Sequence, residues 1–203
     1  MAKIVLASGS PRRQELLHRM GIDDFDVRVP QTEETCPPDL SPRETVAYIS
    51  REKSDAAAAL CTAEELIITA DTMVFLDNRR LGKPADEAEA LEMLTALQGR
   101  HHTVCTGVTV RRGDTILTES ESTDVYFRPA TREELLAYIR TGEPMDKAGA
   151  YGIQGRGALL VERIDGDFFN VMGLPLLRLS RMLERLGLRR RAWGGGGDKE
   201  RLP

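Results

Sequence analysis

Lys3–Leu17 reads KIVLASGSPRRQELL, and its order of residue types sets the fold class. Lys3–Ala7 is a short apolar run with β-branched residues, the pattern of a buried strand. Ser8-Gly9-Ser10-Pro11 interrupts it. Ser10 suits a helix N-cap and Pro11 the first helical position, so a helix is expected from there to about Met20, ended by Gly21. The start of that helix offers unpaired N–H groups and a partial positive charge, and its small residues leave room for a phosphate. Arg12 and Arg13 would add charge-assisted hydrogen bonds. The spacing is neither GxxxxGK[ST] nor GxGxxG. A plain strand-to-helix turn with two solvated arginines explains the same residues.

Asp26–Val29 reads as a second strand, followed by a loop containing Pro30, Pro37 and Pro38. Ser41-Pro42-Arg43-Glu44 is a capping box that opens a helix to about Leu60. Leu66–Ala70 (LIITA) is another buried-strand pattern with Asp71 at its carboxyl end, Met73–Leu76 continues extended, and Asp77-Asn78 offers a turn. Asp86 can cap a helix to Leu97, with Gly99 just beyond it. Val104, Val108 and Val110 share one strand face, and Gly113-Asp114 suggests a hairpin into a long polar strand, Thr115–Phe127. A helix capped by Thr131 and closed by Gly142 comes next, then a glycine-rich loop, Gly149–Gly157. A strand Ala158–Ile164, a turn at Asp165-Gly166 and a helix Pro175–Leu186 complete the pattern. Strands and helices alternate without an internal repeat, so the fold class is α/β with a twisted mixed sheet. Residues 1–188 read as one domain. Residues 189–203, with arginines, four glycines and mixed charges, read as a disordered tail.

The 203 residues can bury a sizeable core. A net charge of -4 argues against polymeric nucleic acid as the main partner, while a small anion needs only a local basic cluster. Cys36, Cys61 and Cys105 are widely spaced and odd in number, which fits a reducing compartment. No apolar stretch approaches the roughly 20 residues of a membrane helix, and the N-terminal run is too short for a signal peptide. The expectation is a cytoplasmic protein with no membrane partner.

Several residues can carry chemistry. Lys53 falls on the same helical stripe as Val46 and Ile49, so it either snorkels past that stripe or points into a shared pocket. Asp71, held by a buried strand, suits a general base or a ligand for a hard cation; a turn-initiating aspartate is the competing reading. Leu81-Gly82-Lys83-Pro84 fixes the backbone around one lysine. Glu33-Glu34 either holds Mg²⁺ or solvates a loop. Gly149–Gly155 (GAYGIQG) allows close approach to a ligand, with Gln154 placed to read a base edge, or is a flexible surface loop. His18, His101 and His102 have no metal-ligand spacing, and two adjacent strand histidines point to opposite faces.

SGSPRRQELL, ISREKSDA, ITADTMVFLDNRRLGKP, LQGRHHTVCTGV and AGAYGIQGRGALLVERIDGDFFNVMGLP, in this order, resemble the Maf family of nucleoside triphosphate pyrophosphatases over roughly Ile4–Leu186. The resemblance implies an inosine triphosphate pyrophosphatase-like fold: a long twisted mixed sheet flanked by helices, two lobes, a central cleft and a homodimer. It implies cleavage between the α and β phosphates with Mg²⁺ or Mn²⁺. Asp71 matches the family's proton acceptor. Arg13, Lys53 and Lys83 match its phosphate-binding cations, joined by Ser8 and Ser10 at the helix start. Glu34 matches a loop carboxylate that would share the metal with Asp71. Arg12, Thr72 and Gln154 match positions tied to substrate choice, and their identities look like the dTTP- and UTP-hydrolysing subgroup. The alternatives are a pyrophosphatase for inosine or other non-standard purine nucleotides, and a nucleotide-binding regulator of cell division. The chain departs from the family pattern at Glu33, where Asp is usual, and at Phe168 and Phe169, where Tyr is usual in the GDYxNV segment.

Overall fold

A computed structural model describes residues 3–32 and 35–188. The expected tail, 189–203, and both Glu33 and Glu34 lie outside the described residues. In chain order the strands are β1 (Ile4–Leu6), β2 (Phe25–Val27), β3 (Leu66–Leu76), β4 (Arg79–Leu81), β5 (His101–Arg112), β6 (Thr115–Phe127) and β7 (Val161–Asp165). The helices are α1 (Pro11–Arg19), α2 (Pro42–Ala58), α3 (Glu87–Leu97), α4 (Arg132–Ile139), α5 (Phe168–Met172) and α6 (Leu176–Arg185). The capping boxes at Ser41 and Thr131 both form, and Asp86 accepts from the Glu89 amide.

Among the described residues the strands form one mixed sheet in the order β2-β1-β3-β5-β6-β7, with β4 added to β3. β1 is parallel to β2 and β3, whereas β3, β5, β6 and β7 run antiparallel in succession. Alternation along β3 divides the core. Leu66, Ile68, Ala70, Val74 and Leu76 pack with residues of α1, α3, α4 and α6. Met73 and Phe75 pack with Val46 and Ile49 of α2 on the opposite face, where Ile67 meets Ala57.

Two expectations need correction. LIITA and MVFL are one continuous 11-residue strand, so Asp71 sits inside β3 rather than at its end; β5 supplies an unbroken partner from Leu66 to Phe75, which carries the strand through the polar pair Asp71-Thr72. Ala158–Ile164 is not all strand. Arg156–Leu160 forms 3₁₀ turns, and β7 starts at Val161, where pairing with Phe127 begins.

One glycine decides how closely α2 lies on the sheet. A Cβ at Gly107 would stand 2.0 Å from the Val46 carbonyl oxygen, so only glycine lets the α2 backbone settle there. Gly107 is also the β5 residue opposite Asp71.

His101 and His102 face opposite ways, the first exposed and the second 2% exposed. His102 Nε2 lies 2.8 Å from the Tyr151 hydroxyl, and its ring meets Phe127 and Tyr151 edge-on. Burial is the main reason its pKa falls from 6.5 to about 4. The unfolded chain therefore takes this proton first on acidification, and stability present above the unfolded value is lost as pH falls towards 4. Urea unfolding should show a loss on the order of 3 kcal/mol between neutral pH and pH 4 from this group, and His102→Phe should flatten that part of the profile. An unchanged profile in the variant would contradict the assignment.

Candidate active site

The site begins where the sheet is incomplete. On one edge of β3, β1 pairs only with Leu66–Ile68, and Ala7 N–H donates the last main-chain bond of that ladder, to Ile68 O at 2.8 Å. β4 joins β3 again only at Val74–Leu76. Between them the chain has turned at Gly9-Ser10 into α1, so this edge of β3 lacks a strand partner among the described residues. Arg13 of α1 reaches back into the gap. Its Nη1 donates to Ala70 O at 2.8 Å and to Ser8 Oγ at 3.1 Å, its Nε to Gly173 O at 2.9 Å, and its Nη2 to Thr72 Oγ1 at 3.0 Å. The guanidinium thus stands in for a missing strand and ties α1 to β3 and to the turn after α5.

Asp71 lies in the same gap on the α2 face. Lys53 Nζ donates to Asp71 Oδ1 at 2.7 Å, with side chains only 15% and 6% exposed. The choice between snorkelling and a shared pocket falls to the pocket. About two turns separate Lys53 from Val46, so the close seat at Gly107 delivers the lysine to the aspartate. Asp71 Oδ2 is buried and has no hydrogen-bond partner among the described residues. A buried carboxylate oxygen without a donor is costly, and it can accept a proton or bind a hard cation.

A cleft of about 1090 Å³ opens over this gap. Ser8, Ser10, Arg12, Arg13, Lys53, Asp71, Thr72, Lys83 and Gln154 all line it. Of the residues singled out in the sequence, Glu33 and Glu34 lie outside the described residues. Ser8 Oγ accepts from the Ser10 N–H and from Arg13, so its own proton remains to be donated. Ser10 occupies the N-cap of α1 but makes no side-chain capping bond. Thr72 Oγ1 lies 2.9 Å from Thr106 Oγ1, which donates to Asn170 O.

Sequence reasoning missed Arg80, Glu143, Asp146 and Lys147, which also line the cleft. Arg80 stands beside the motif that drew attention to Lys83. The other three lie on the turn before the glycine-rich loop, and no local pattern marks them. Among the described residues, the lining carries six cations, Arg12, Arg13, Lys53, Arg80, Lys83 and Lys147, against the carboxylates of Asp71, Glu143 and Asp146. Such an enclosure suits a polyanion.

The glycine-rich loop has a local cause. A Cβ at Gly155 would fall 2.4 Å from Glu143 Oε2, one at Gly157 would fall 2.6 Å from the Tyr138 hydroxyl, and one at Gly152 would fall 2.8 Å from Lys147 Cε. These glycines let the loop wrap the chain's own side chains. The Gly149 amide donates to Gly82 O at 3.0 Å, which joins this loop to the segment bearing Lys83.

The donor set fits a hard divalent cation in part. Asp71 offers an unpartnered buried oxygen. Among the described residues no three His, Cys, Asp or Glu side chains form a metal cluster, so further ligands would come from phosphate oxygens and water.

Fold and site together define a mixed α/β protein with a cation-lined cleft built around a buried lysine–aspartate pair. The chain belongs to the Maf-like protein family, whose sequence model matches residues 3–186. A relative from Symbiobacterium thermophilum named dTTP/UTP pyrophosphatase is 49% identical over 187 residues, covering 92% of this chain and 95% of its own. One of the same name from Methanosarcina mazei is 48% identical over 190 residues, covering 93% and 96%. A solved Ham1 protein from Staphylococcus aureus is 15% identical over 91% of this chain and 99% of its own, with a TM-score of 0.47. No helix among the described residues is long and apolar enough to cross a membrane.

Arg13→Lys keeps the charge but cannot reach Ala70 O, Gly173 O and Thr72 together. It should lower stability on the order of 2 kcal/mol, a fall of roughly 4–8 °C in the thermal midpoint. A midpoint equal to wild type would show that the guanidinium does not hold the gap.

Proposed function

We propose that this protein hydrolyses dTTP and UTP to the monophosphate and pyrophosphate, with Asp71 as the base that activates water. The observation that carries the reading is Asp71 in the lining of a cation-rich cleft, its Oδ2 buried and without a hydrogen-bond partner among the described residues. The names of relatives that are 48–49% identical supply the nucleotide class.

In this reading the triphosphate lies along the cleft, its charge offset by Lys53, Lys83 and Arg13. The Ser8 hydroxyl donates to a phosphate oxygen beside the positive end of the α1 dipole. Lys53 holds Asp71 through Oδ1 and leaves Oδ2 to accept a proton from water. That water's oxygen attacks the α-phosphorus. The bond from the α-phosphorus to the α–β bridging oxygen breaks, and pyrophosphate leaves with the electron pair. The proton taken by Asp71 returns to solvent. Fixed charges around the developing negative charge need no reorganisation as it forms, and this is the main source of acceleration. A divalent cation, Mg²⁺ or Mn²⁺, held by Asp71 and Glu34 would neutralise phosphate charge. Arg12, Thr72 and Gln154 contribute to base selection. The reading includes a homodimer in the cytoplasm.

Asp71→Asn keeps the shape and removes the base. Pyrophosphate release should fall on the order of 10²-fold or more in kcat. Turnover near wild type would end the assignment.

Pyrophosphate release measured across dTTP, UTP, CTP, ITP and 7-methyl-GTP with Mg²⁺ or Mn²⁺ should favour dTTP and UTP. Preference for ITP would point to clearance of non-standard purines. Tight nucleotide binding without pyrophosphate release would point to a regulatory protein.

A further inference from the structure

We propose that Glu143 is a positioning residue for nucleobase selection, acting through the loop that carries Gln154. The inference rests on the proposed nucleotide hydrolysis. It comes from a carboxylate at the cleft that the reaction does not use. Glu143 Oε1 accepts from the Tyr138 hydroxyl at 2.9 Å and from the Gly157 amide at 3.1 Å, and Oε2 accepts from the Arg156 amide at 2.8 Å. The Gly152 amide donates to the same Tyr138 hydroxyl at 3.1 Å. The carboxylate therefore sits where successive backbone amides converge, as a bound anion would. Burial pushes the Glu143 pKa up, but the Gly157 and Arg156 amides and the Tyr138 hydroxyl outweigh it and leave the group below its ordinary value. The charged form is the one the loop recognises.

The consequence for the cleft follows from the intervening residues. Gly152, Ile153, Gln154 and Gly155 line the cleft, between a Gly152 end fixed by Tyr138 and an Arg156–Gly157 end fixed by Glu143. Of these four, only Gln154 has a polar side chain. Its amide offers one acceptor and one donor group, the pair that a pyrimidine carbonyl and ring N–H require. Held at both ends, the loop presents that amide in one place. Released, it presents the amide in many places, and a nucleotide must order the loop on binding. The reacting end of the cleft, at Asp71 and Lys53, does not depend on these bonds. Loss of Glu143 should therefore raise KM and blunt base selection while leaving kcat nearly intact.

The test compares wild type, Glu143→Ala, Glu143→Asp and Tyr138→Phe. Steady-state pyrophosphate release is read with dTTP, UTP and CTP, and amide hydrogen exchange is read at residues 152–157. Glu143→Ala should raise KM for dTTP and UTP on the order of tenfold and narrow the dTTP-to-CTP preference, with kcat changed less than about threefold and faster exchange at Arg156 and Gly157. Glu143→Asp, which keeps the charge, should restore part of the loss, and Tyr138→Phe should shift KM the same way by a smaller factor. If Glu143→Ala does not fold, Tyr138→Phe decides: a raised dTTP KM supports the inference and an unchanged one overturns it. A fall in kcat with KM and base preference unchanged also overturns it. Active wild type with an unaffected variant would sink this inference alone, whereas wild type inactive on every nucleotide would sink the hydrolase reading and this inference with it.

Discussion

A buried strand edge without a neighbouring strand must find partners for its main-chain groups elsewhere. Between the end of β1 and the start of β4, the edge of β3 meets that requirement with an arginine side chain. The same opening leaves Asp71 beside a cleft instead of under another strand. Much else in the site adjusts to this gap. α1 begins shortly after β1 stops, which brings the Arg13 side chain to the opening. β4 closes the far side and leads to Gly82 and Lys83.

Close approach of backbone to backbone, or of backbone to side chain, does the rest. Gly107 lets α2 rest directly on β5, which puts Lys53 within 2.7 Å of Asp71. A bulkier residue there would lift the helix, and the ion pair would lengthen first. Farther along the cleft, Gly152, Gly155 and Gly157 close around Tyr138, Glu143 and Lys147. The glycines at the two ends of the site thus serve the same physical purpose. They permit contacts that a Cβ would block; at the buried Lys53–Asp71 end this fixes charge where it acts most strongly on a reacting phosphate.

Much of this was legible in the amino-acid order. The strand–turn–helix at Lys3–Leu17, the capping boxes at Ser41 and Thr131 and the apolar run at Leu66 report local preferences, and they correspond to β1, α1, α2, α4 and β3. The cleft residues were found because positive charge, glycine and strand position coincided at Arg13, Lys83 and Asp71. Long-range pairing was not legible. Nothing local says that β5 carries β3 straight through Asp71, or that the ladder with β1 ends at Ile68. Glu143 escaped notice for the same reason. Its partners at Arg156 and Gly157 are 13 and 14 residues away, and an isolated glutamate in a turn has no periodicity to betray it. The close packing at Gly107 is likewise a property of two distant segments, invisible in either alone.

Under the proposed function, the α-phosphate of a pyrimidine triphosphate comes to Asp71 in the gap of the sheet. A crystal structure with a non-hydrolysable α,β-methylene analogue of dTTP tests it directly. The α-phosphorus should lie within reach of Asp71 Oδ2 through a single water, at roughly hydrogen-bond spacing on each side of that water, with the base against the loop bearing Gln154. A triphosphate bound elsewhere, or one whose α-phosphate lies remote from Asp71 with another group beside it, would rule out Asp71 as the base.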